Sequence, residues 1–158
     1  MMTSLRKLLC KRQGGSAAVE LAIVMPILFV LMTVPIFFAR YFWHYTVAHK
    51  AAQDAARYLS TISVREMRSA ALSATAGQIA RGIAAEEIAD LLPGKDKPVI
   101  EVFCGPTKLC SGYSASAMPE TIAVSVDMDM IDTLFGVVGT GFYGWHIGAV
   151  AEVRYVGR

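Results

Sequence analysis

The chain has few charged residues and no excess of basic ones beyond its first fifteen positions. Only 18% of the 158 residues are charged, and 15 lysines and arginines against 13 acids give a net charge of +2. Four of these cations lie in residues 1–15, so the remainder has 11 basic against 13 acidic residues. Because a nucleic-acid-binding protein needs a basic face to neutralise phosphates, the composition predicts no nucleic-acid partner.

Other scarcities exclude further classes of protein. The 13 glycines follow no period, which excludes collagen, and an apolar content of 54% is too high for a disordered chain. A length of 158 residues leaves room for one domain and one additional element, but not for a multi-span transporter. No nucleophile–base–acid set stands out, so the sequence predicts a protein that is not an enzyme and takes no cofactor.

One long uncharged run dominates the N-terminal third. Residues 21–39 read LAIVMPILFVLMTVPIFFA. At a helical rise of about 1.5 Å per residue they span roughly 28 Å, close to the hydrocarbon core of a bilayer. Pro26 and Pro35 kink a helix, but membrane helices tolerate proline. Residues 40–45, RYFWHY, follow as an aromatic belt with a cation. The sequence predicts one transmembrane helix.

The flanking cations predict its orientation. Four precede the run, whereas Arg40 and Lys50 follow it, so the positive-inside rule places residues 1–15 in the cytoplasm and the C-terminal part outside. In a bacterium this is an inner-membrane protein with a periplasmic domain. The run is longer than the apolar region of a secretory signal peptide, and no small-x-small cleavage site follows it.

The junction before the run combines small residues with one carboxylate. Residues 14–19 read GGSAAV, and Glu20 stands at the start of the apolar helix. An ionised carboxylate beside lipid is costly, so an acid in this position is a functional candidate. The alternative is an interfacial glutamate that keeps its carboxylate in the water layer.

This arrangement resembles a type IV prepilin: a basic leader, a glycine, a small residue, a glutamate at the fifth mature position and an apolar helix. Within that class, GGSAAVELAIVMPILFVLM and the later AHKAAQDAARYLS are similar to TadE-like proteins, over about residues 11–60. These are the minor pilins, or pseudopilins, of Tad (Flp) pilus systems. Leu21 stands where the family commonly has an aromatic residue, which is a conservative departure.

The resemblance implies cleavage between Gly15 and Ser16 by a prepilin peptidase, after which Glu20 neutralises the new α-amine while helices pack into a filament. It implies as further partners a major Flp-type pilin, other minor pilins, the inner-membrane assembly platform and the lipid bilayer. The expected role is assembly or initiation of an extracellular pilus that supports adhesion and surface attachment. An unprocessed single-pass anchor that scaffolds envelope or secretion machinery is the alternative.

The expected organisation has three parts: the leader over residues 1–15, a kinked helix over 16–60, and an extracytoplasmic α+β domain over 61–158. The first helix carries a small-residue face that predicts close packing, against the domain's own sheet or other subunits. This face comprises Ala48, Ala51, Ala52, Ala55 and Ala56.

A second helix is predicted over residues 64–92, ended by Pro93-Gly94. Its expected apolar stripe comprises Leu72, Ala76, Ile79, Ala80, Ile83 and Ile88. Alternation then predicts antiparallel strands over residues 99–104, 121–130 and 145–156, with one apolar face that the helices cover.

The cysteines and two of the histidines are further candidates for chemistry. Cys104 and Cys110 bracket a turn-like stretch outside the cytoplasm, where a disulfide is favoured over two buried free thiols. Cys10 belongs to the leader. His44 and His49 lack the spacing of a metal site and indicate interfacial or packing roles.

The last two motifs are read as structural. The cluster of Asp127, Asp129 and Asp132 lacks the glycine and glutamate of an EF-hand, so no calcium site is predicted. Residues 139–144 match GxGxxG but precede a strand, which indicates a glycine-rich loop rather than a dinucleotide site.

Overall fold

The structure is a computed structural model that describes residues 14–91, 97–105, 109–110, 118–130 and 145–157. The chain divides into two units, residues 1–40 and 41–158. Its helices are α1 (Gly14–Ser60), α2 (Val64–Arg68) and α3 (Ala70–Ile88), and its strands are β1 (Val99–Cys104), β2 (Thr121–Met130) and β3 (Trp145–Arg154). The predicted α+β class is confirmed.

The first unit holds the apolar part of α1. Pro26 and Pro35 lie inside the helix, and the Thr33 hydroxyl donates a hydrogen bond to the Phe29 carbonyl at 2.8 Å. Most large apolar side chains of residues 19–38 are exposed. Among the described residues, α1 is the one helix whose length and composition suffice to cross a membrane. It therefore fits a single membrane anchor.

The alanine face of α1 is fully buried in the second unit. All five predicted alanines have no exposed surface, and His44 lies on the same side with 5% exposed. Because these residues are covered within one chain, the packing partner lies in the domain itself. The Lys50 ammonium links α1 to α3 through the Glu87 carboxylate at 3.3 Å.

Lengthening one of these alanines is expected to destabilise the second unit. Ala55→Leu inserts three carbons where no space remains, and overpacking of this kind costs about 1–3 kcal/mol of unfolding free energy. Urea denaturation in detergent micelles, followed by near-ultraviolet circular dichroism, measures the change. Gln53→Leu, on the exposed side of the same helix turn, is the matched control. Equal midpoints for the two variants would show that the alanine face is not tightly packed.

The prediction of one continuous helix over residues 64–92 is wrong, because two helices, α2 and α3, occupy this region. The break lies at Ser69, whose backbone is extended. Ser69 is the N-cap of α3, because its hydroxyl accepts a hydrogen bond from the Leu72 N–H. A capping box opens α2: the Ser63 hydroxyl accepts the Glu66 N–H. The Ser63 hydroxyl, at 2.7 Å, and its backbone N–H also donate to the Glu66 carboxylate, which lowers the pKa of Glu66.

The prediction of which α3 residues face the core is also partly wrong. Ala76, Ala80 and Ile88 are buried, but Leu72 and Ile79 are about half exposed. The other buried positions of α3 are Ser73, Gly77 and Ala84. The helix passes so close to the loop at Cys110 that a Cβ on Gly77 would lie 3.4 Å from the Cys110 Cβ. The inward side of α3 therefore consists mostly of small residues, and Gly77 is the one beside Cys110.

The three strands form one antiparallel sheet in the order β1-β2-β3. The first two have the predicted bounds, and β3 ends two residues earlier than predicted. One face is buried, whereas Glu101, Glu152 and Arg154 point outward as the alternation indicates. The buried face comprises Val102, Cys104, Ile122, Val124, Val126, Met128, Met130, Ile147, Ala149 and Ala151.

The segment after β3 fastens the end of α1. The Ser60 carbonyl accepts the N–H groups of Val156 and Gly157 at 3.2 and 3.3 Å, and the Tyr155 hydroxyl donates to the Ile62 carbonyl at 3.0 Å. Burial, and secondly the Glu66 carboxylate, raises the pKa of Tyr155. At the other end of β3, the Trp145 ring contacts the Tyr41 ring of α1, with centroids 6.0 Å apart. Both ends of β3 are therefore held next to α1.

Candidate functional site

The expected processing site lies in the first turn of α1. Gly15 is exposed, and a Cβ built on it would meet no atom within 4 Å. Glycine leaves the neighbouring peptide bonds unobstructed, which suits a peptidase that must hold them in its active site. The first turn of the helix contains no acidic residue.

Helix geometry relates the expected new N-terminus to Glu20. Positions 16 and 20 are four residues apart in α1, which is about one turn of helix. Glu20 is exposed at the start of the apolar stretch.

This segment can be compared with known families. Residues 15–57 match the family model described as TadE-like protein. The chain carries a TadE-like segment. The resemblance noted over about residues 11–60 is thus confirmed for 15–57, and it connects the chain with Tad pilus systems. No curated protein and no solved structure matches the chain.

The TadE-like segment coincides with α1. The match begins at Gly15, continues through the apolar stretch and the alanine face, and ends three residues before Ser60. TadE-like pilin-type proteins are structural components of pilus systems rather than enzymes. A cavity of about 280 Å³ lies between α3 and β1, and among the described residues its lining is apolar except for Lys97.

The two expected cysteine partners meet in the second unit. A disulfide joins Cys104 to Cys110, whose Cα atoms are 5.1 Å apart, and both residues are buried. The loop turns at Gly105, which has a φ of 88°, and returns along β1 so that the Cys110 N–H donates to the Val102 carbonyl at 3.2 Å. It thereby pairs with part of the outer edge of β1, which would otherwise be open to another strand.

Removing the disulfide is expected to weaken the second unit. Cys104→Ala combined with Cys110→Ala frees a loop whose ends are 6 residues apart. Loop entropy then predicts a loss of about 2 kcal/mol of unfolding free energy. Urea denaturation of the full chain in micelles checks this, with the unmodified chain in excess reductant as the control. An unchanged midpoint for both samples would contradict the stabilising role.

The remaining sequence candidates are placed as follows. His44 is buried beside the alanines, and the His49 ring lies edge-on to Tyr45 with centroids 4.5 Å apart. Asp132 and residues 139–144 lie outside the described residues. Within the described ranges, no group of three or more His, Cys, Asp and Glu side chains is arranged to hold a metal ion.

His146 has partners that the sequence did not reveal. Its imidazole lies between two β2 carboxylates, with Nδ1 3.2 Å from Asp129 and Nε2 3.5 Å from Asp127. The register explains this, because Asp129 stands opposite His146 and Asp127 opposite Gly148. Only the strand pairing places the histidine between the two aspartates.

Proposed function

We propose that the chain is the precursor of a minor pilin, or pseudopilin, of a Tad (Flp) pilus. The observation that carries the proposal is the extent of the TadE-like match, which begins at Gly15 and covers the apolar stretch of α1. If the family resemblance reflected only a membrane anchor, the match could begin at any apolar residue. It begins instead at Gly15, the residue after which prepilin-type cleavage is expected.

The proposed topology follows from charge and hydropathy. Residues 1–15 lie in the cytoplasm, residues 21–39 cross the bacterial inner membrane, and residues 61–158 form the domain on the periplasmic side. The four leader cations hold the Gly15–Ser16 bond at the membrane surface through attraction to anionic headgroups. A prepilin peptidase on the cytoplasmic face then removes the leader.

Cleavage changes the electrostatics of the helix start. The new chain begins with an ammonium group at Ser16, one helix turn from Glu20. A carboxylate in an apolar filament core persists only when a partner neutralises it, and this amine supplies the partner. The pair therefore allows the processed helix, but not the precursor, to leave the bilayer and pack beside other pilin helices.

The proposed partners are the peptidase, the inner-membrane assembly platform, the major Flp-type pilin and other minor pilins. Major Flp pilins are much shorter than this chain, so a subunit with a folded C-terminal domain suits a tip or priming complex better than the shaft. In that place it contributes to pilus initiation, and through the pilus to adhesion and surface attachment.

The experiment that tests this function is recovery of the processed chain with sheared pili. Cells with intact Tad machinery should release it into the shear fraction, whereas cells that lack the assembly platform should retain it in the inner membrane. An uncleaved chain that stays in the membrane of both strains would favour the permanent anchor instead.

A further inference from the structure

The disulfide of the second unit lies in the core rather than at the surface. Cys104 and Cys110 are only 2% and 1% exposed. Cys104 is on the inward face of β1, opposite Ile122, which is completely buried. An enzyme that forms or breaks a disulfide by exchange must bring a sulfur atom into contact with one of these sulfur atoms. The depth of the bond therefore restricts when an enzyme can act on it.

Helices α2 and α3 cover the two cysteines. Met67 of α2 is fully buried, and its sulfur atom lies 4.0 Å from that of Cys104. On α3, a Cβ added at Gly77 would lie 3.4 Å from the Cys110 Cβ, so the helix backbone passes close to this residue. Docking of the two helices thus packs protein atoms against both cysteines. An enzyme can approach the sulfur atoms only when this part of the unit is unfolded.

The order of the elements along the chain provides such a stage. β2 is the central strand of the sheet, so β1 cannot take its place until residues 121–130 have followed it. Because synthesis proceeds from the N-terminus, Cys104 and Cys110 are available before β2 is complete. The two residues are 6 positions apart, and a loop of this size closes at a small cost in entropy.

We propose that a periplasmic thiol oxidase, an enzyme that carries a reactive disulfide, forms the Cys104–Cys110 bond before α2 and α3 dock. This rests on the periplasmic placement of residues 61–158 in the proposed function. One cysteine thiolate of the chain attacks the enzyme disulfide, which gives a mixed disulfide and releases an enzyme thiolate. The other cysteine thiolate then attacks the mixed disulfide and releases the second enzyme thiolate. The chain loses two electrons and two protons, and the enzyme is reduced to a dithiol.

The number of cysteines limits what this partner must do. The chain has three, and Cys10 lies in the leader, on the cytoplasmic side in the proposed topology. Cys104 and Cys110 therefore have only one possible pairing in the periplasm, and no disulfide isomerase is needed to correct it. After the helices dock, the buried bond is protected from reduction. Oxidation thus precedes folding of the second unit, and folding precedes assembly.

Reduction of the folded chain tests this order. The full-length Cys10→Ser variant, which keeps only the two cysteines of the bond, is held in detergent micelles with dithiothreitol. Free thiols are counted over time by the gel shift that maleimide-polyethylene glycol produces. We expect reduction to be at least about 100-fold slower without urea than above the unfolding midpoint, because thiols reach the bond only from unfolded states. Equal rates would show that the bond is accessible in the folded unit and would overturn the proposed order.

The same thiol count in cells tests the partner. It compares bacteria with all periplasmic redox enzymes, bacteria without the thiol oxidase and bacteria without the disulfide isomerase. We expect a complete bond in the first and third strains, and mostly free thiols with a reduced amount of chain in the second. The control is Cys104→Ala combined with Cys110→Ala, whose amount should not depend on the oxidase.

The outcomes separate this proposal from the proposed function. A complete bond in cells without the oxidase would overturn the enzymatic step and leave the topology intact. Free thiols in cells without the isomerase would also overturn it, because the bond would then depend on correction. Free thiols in all three strains would show that residues 104–110 do not reach an oxidising compartment, so the periplasmic placement in the proposed function would fail as well.

Discussion

Replacing Gly15 by phenylalanine is expected to abolish leader removal, so that the chain keeps its precursor mass in cells with an active prepilin peptidase. A Cβ added at Gly15 would meet no atom within 4 Å, so a side chain at this position starts in open space. Its effect falls on the peptidase, which must bind the residue before the scissile bond. A gel of membrane fractions should show only the upper, unprocessed band.

Gly82 provides the matched control for this substitution. It also lies in a helix, is exposed and has no atom within 4 Å of an added Cβ. Gly82→Phe should therefore be processed like the unmodified chain. Equal processing of the Gly15 and Gly82 variants would show that the peptidase does not cut beside Gly15.

Replacing Glu20 by alanine is expected to leave processing intact but to remove most of the chain from sheared pili. Glu20 lies beyond the scissile bond, and alanine preserves the helix. The new amine, however, would enter the filament core without its carboxylate, and an unpaired buried charge costs about 3–5 kcal/mol. The ratio of sheared to membrane-bound processed chain measures the defect.

Two substitutions give this experiment its controls. Glu20→Gln keeps the size of the side chain but removes its charge, so it should also be assembled poorly. Glu101→Ala removes an exposed carboxylate from β1 and should assemble normally. Normal amounts of the Glu20→Ala chain in sheared pili would contradict the proposal that Glu20 pairs with the new N-terminus.

The sequence predicted the elements whose signals are local. The three strands were found because side chains alternate along each of them, and α1 because its apolar run and alanine face are continuous. The break at Ser69 was missed because apolar spacing continues across it. The S-x-x-E of residues 63–66 marks only the start of α2, whereas the break itself is marked by a single serine N-cap, Ser69.

Features that depend on contacts between distant segments could not be predicted. Leu72 and Ile79 fit the helical period, but they are about half exposed, and mostly small residues occupy the buried side of α3. The position of His146 between two carboxylates and that of Trp145 beside Tyr41 depend on strand register. The candidate processing site stays a prediction, made from Gly15, Ser16 and Glu20 because they lie within six consecutive residues.

The central claim is that this chain is a prepilin-type precursor, and the mass of its mature form tests that claim most directly. Intact-mass and N-terminal peptide analysis of the chain from cells with an active prepilin peptidase should find Ser16 as the first residue. Cells without the peptidase should yield only the precursor. A chain that keeps residues 1–15 in both strains would contradict the claim and leave an uncleaved membrane anchor.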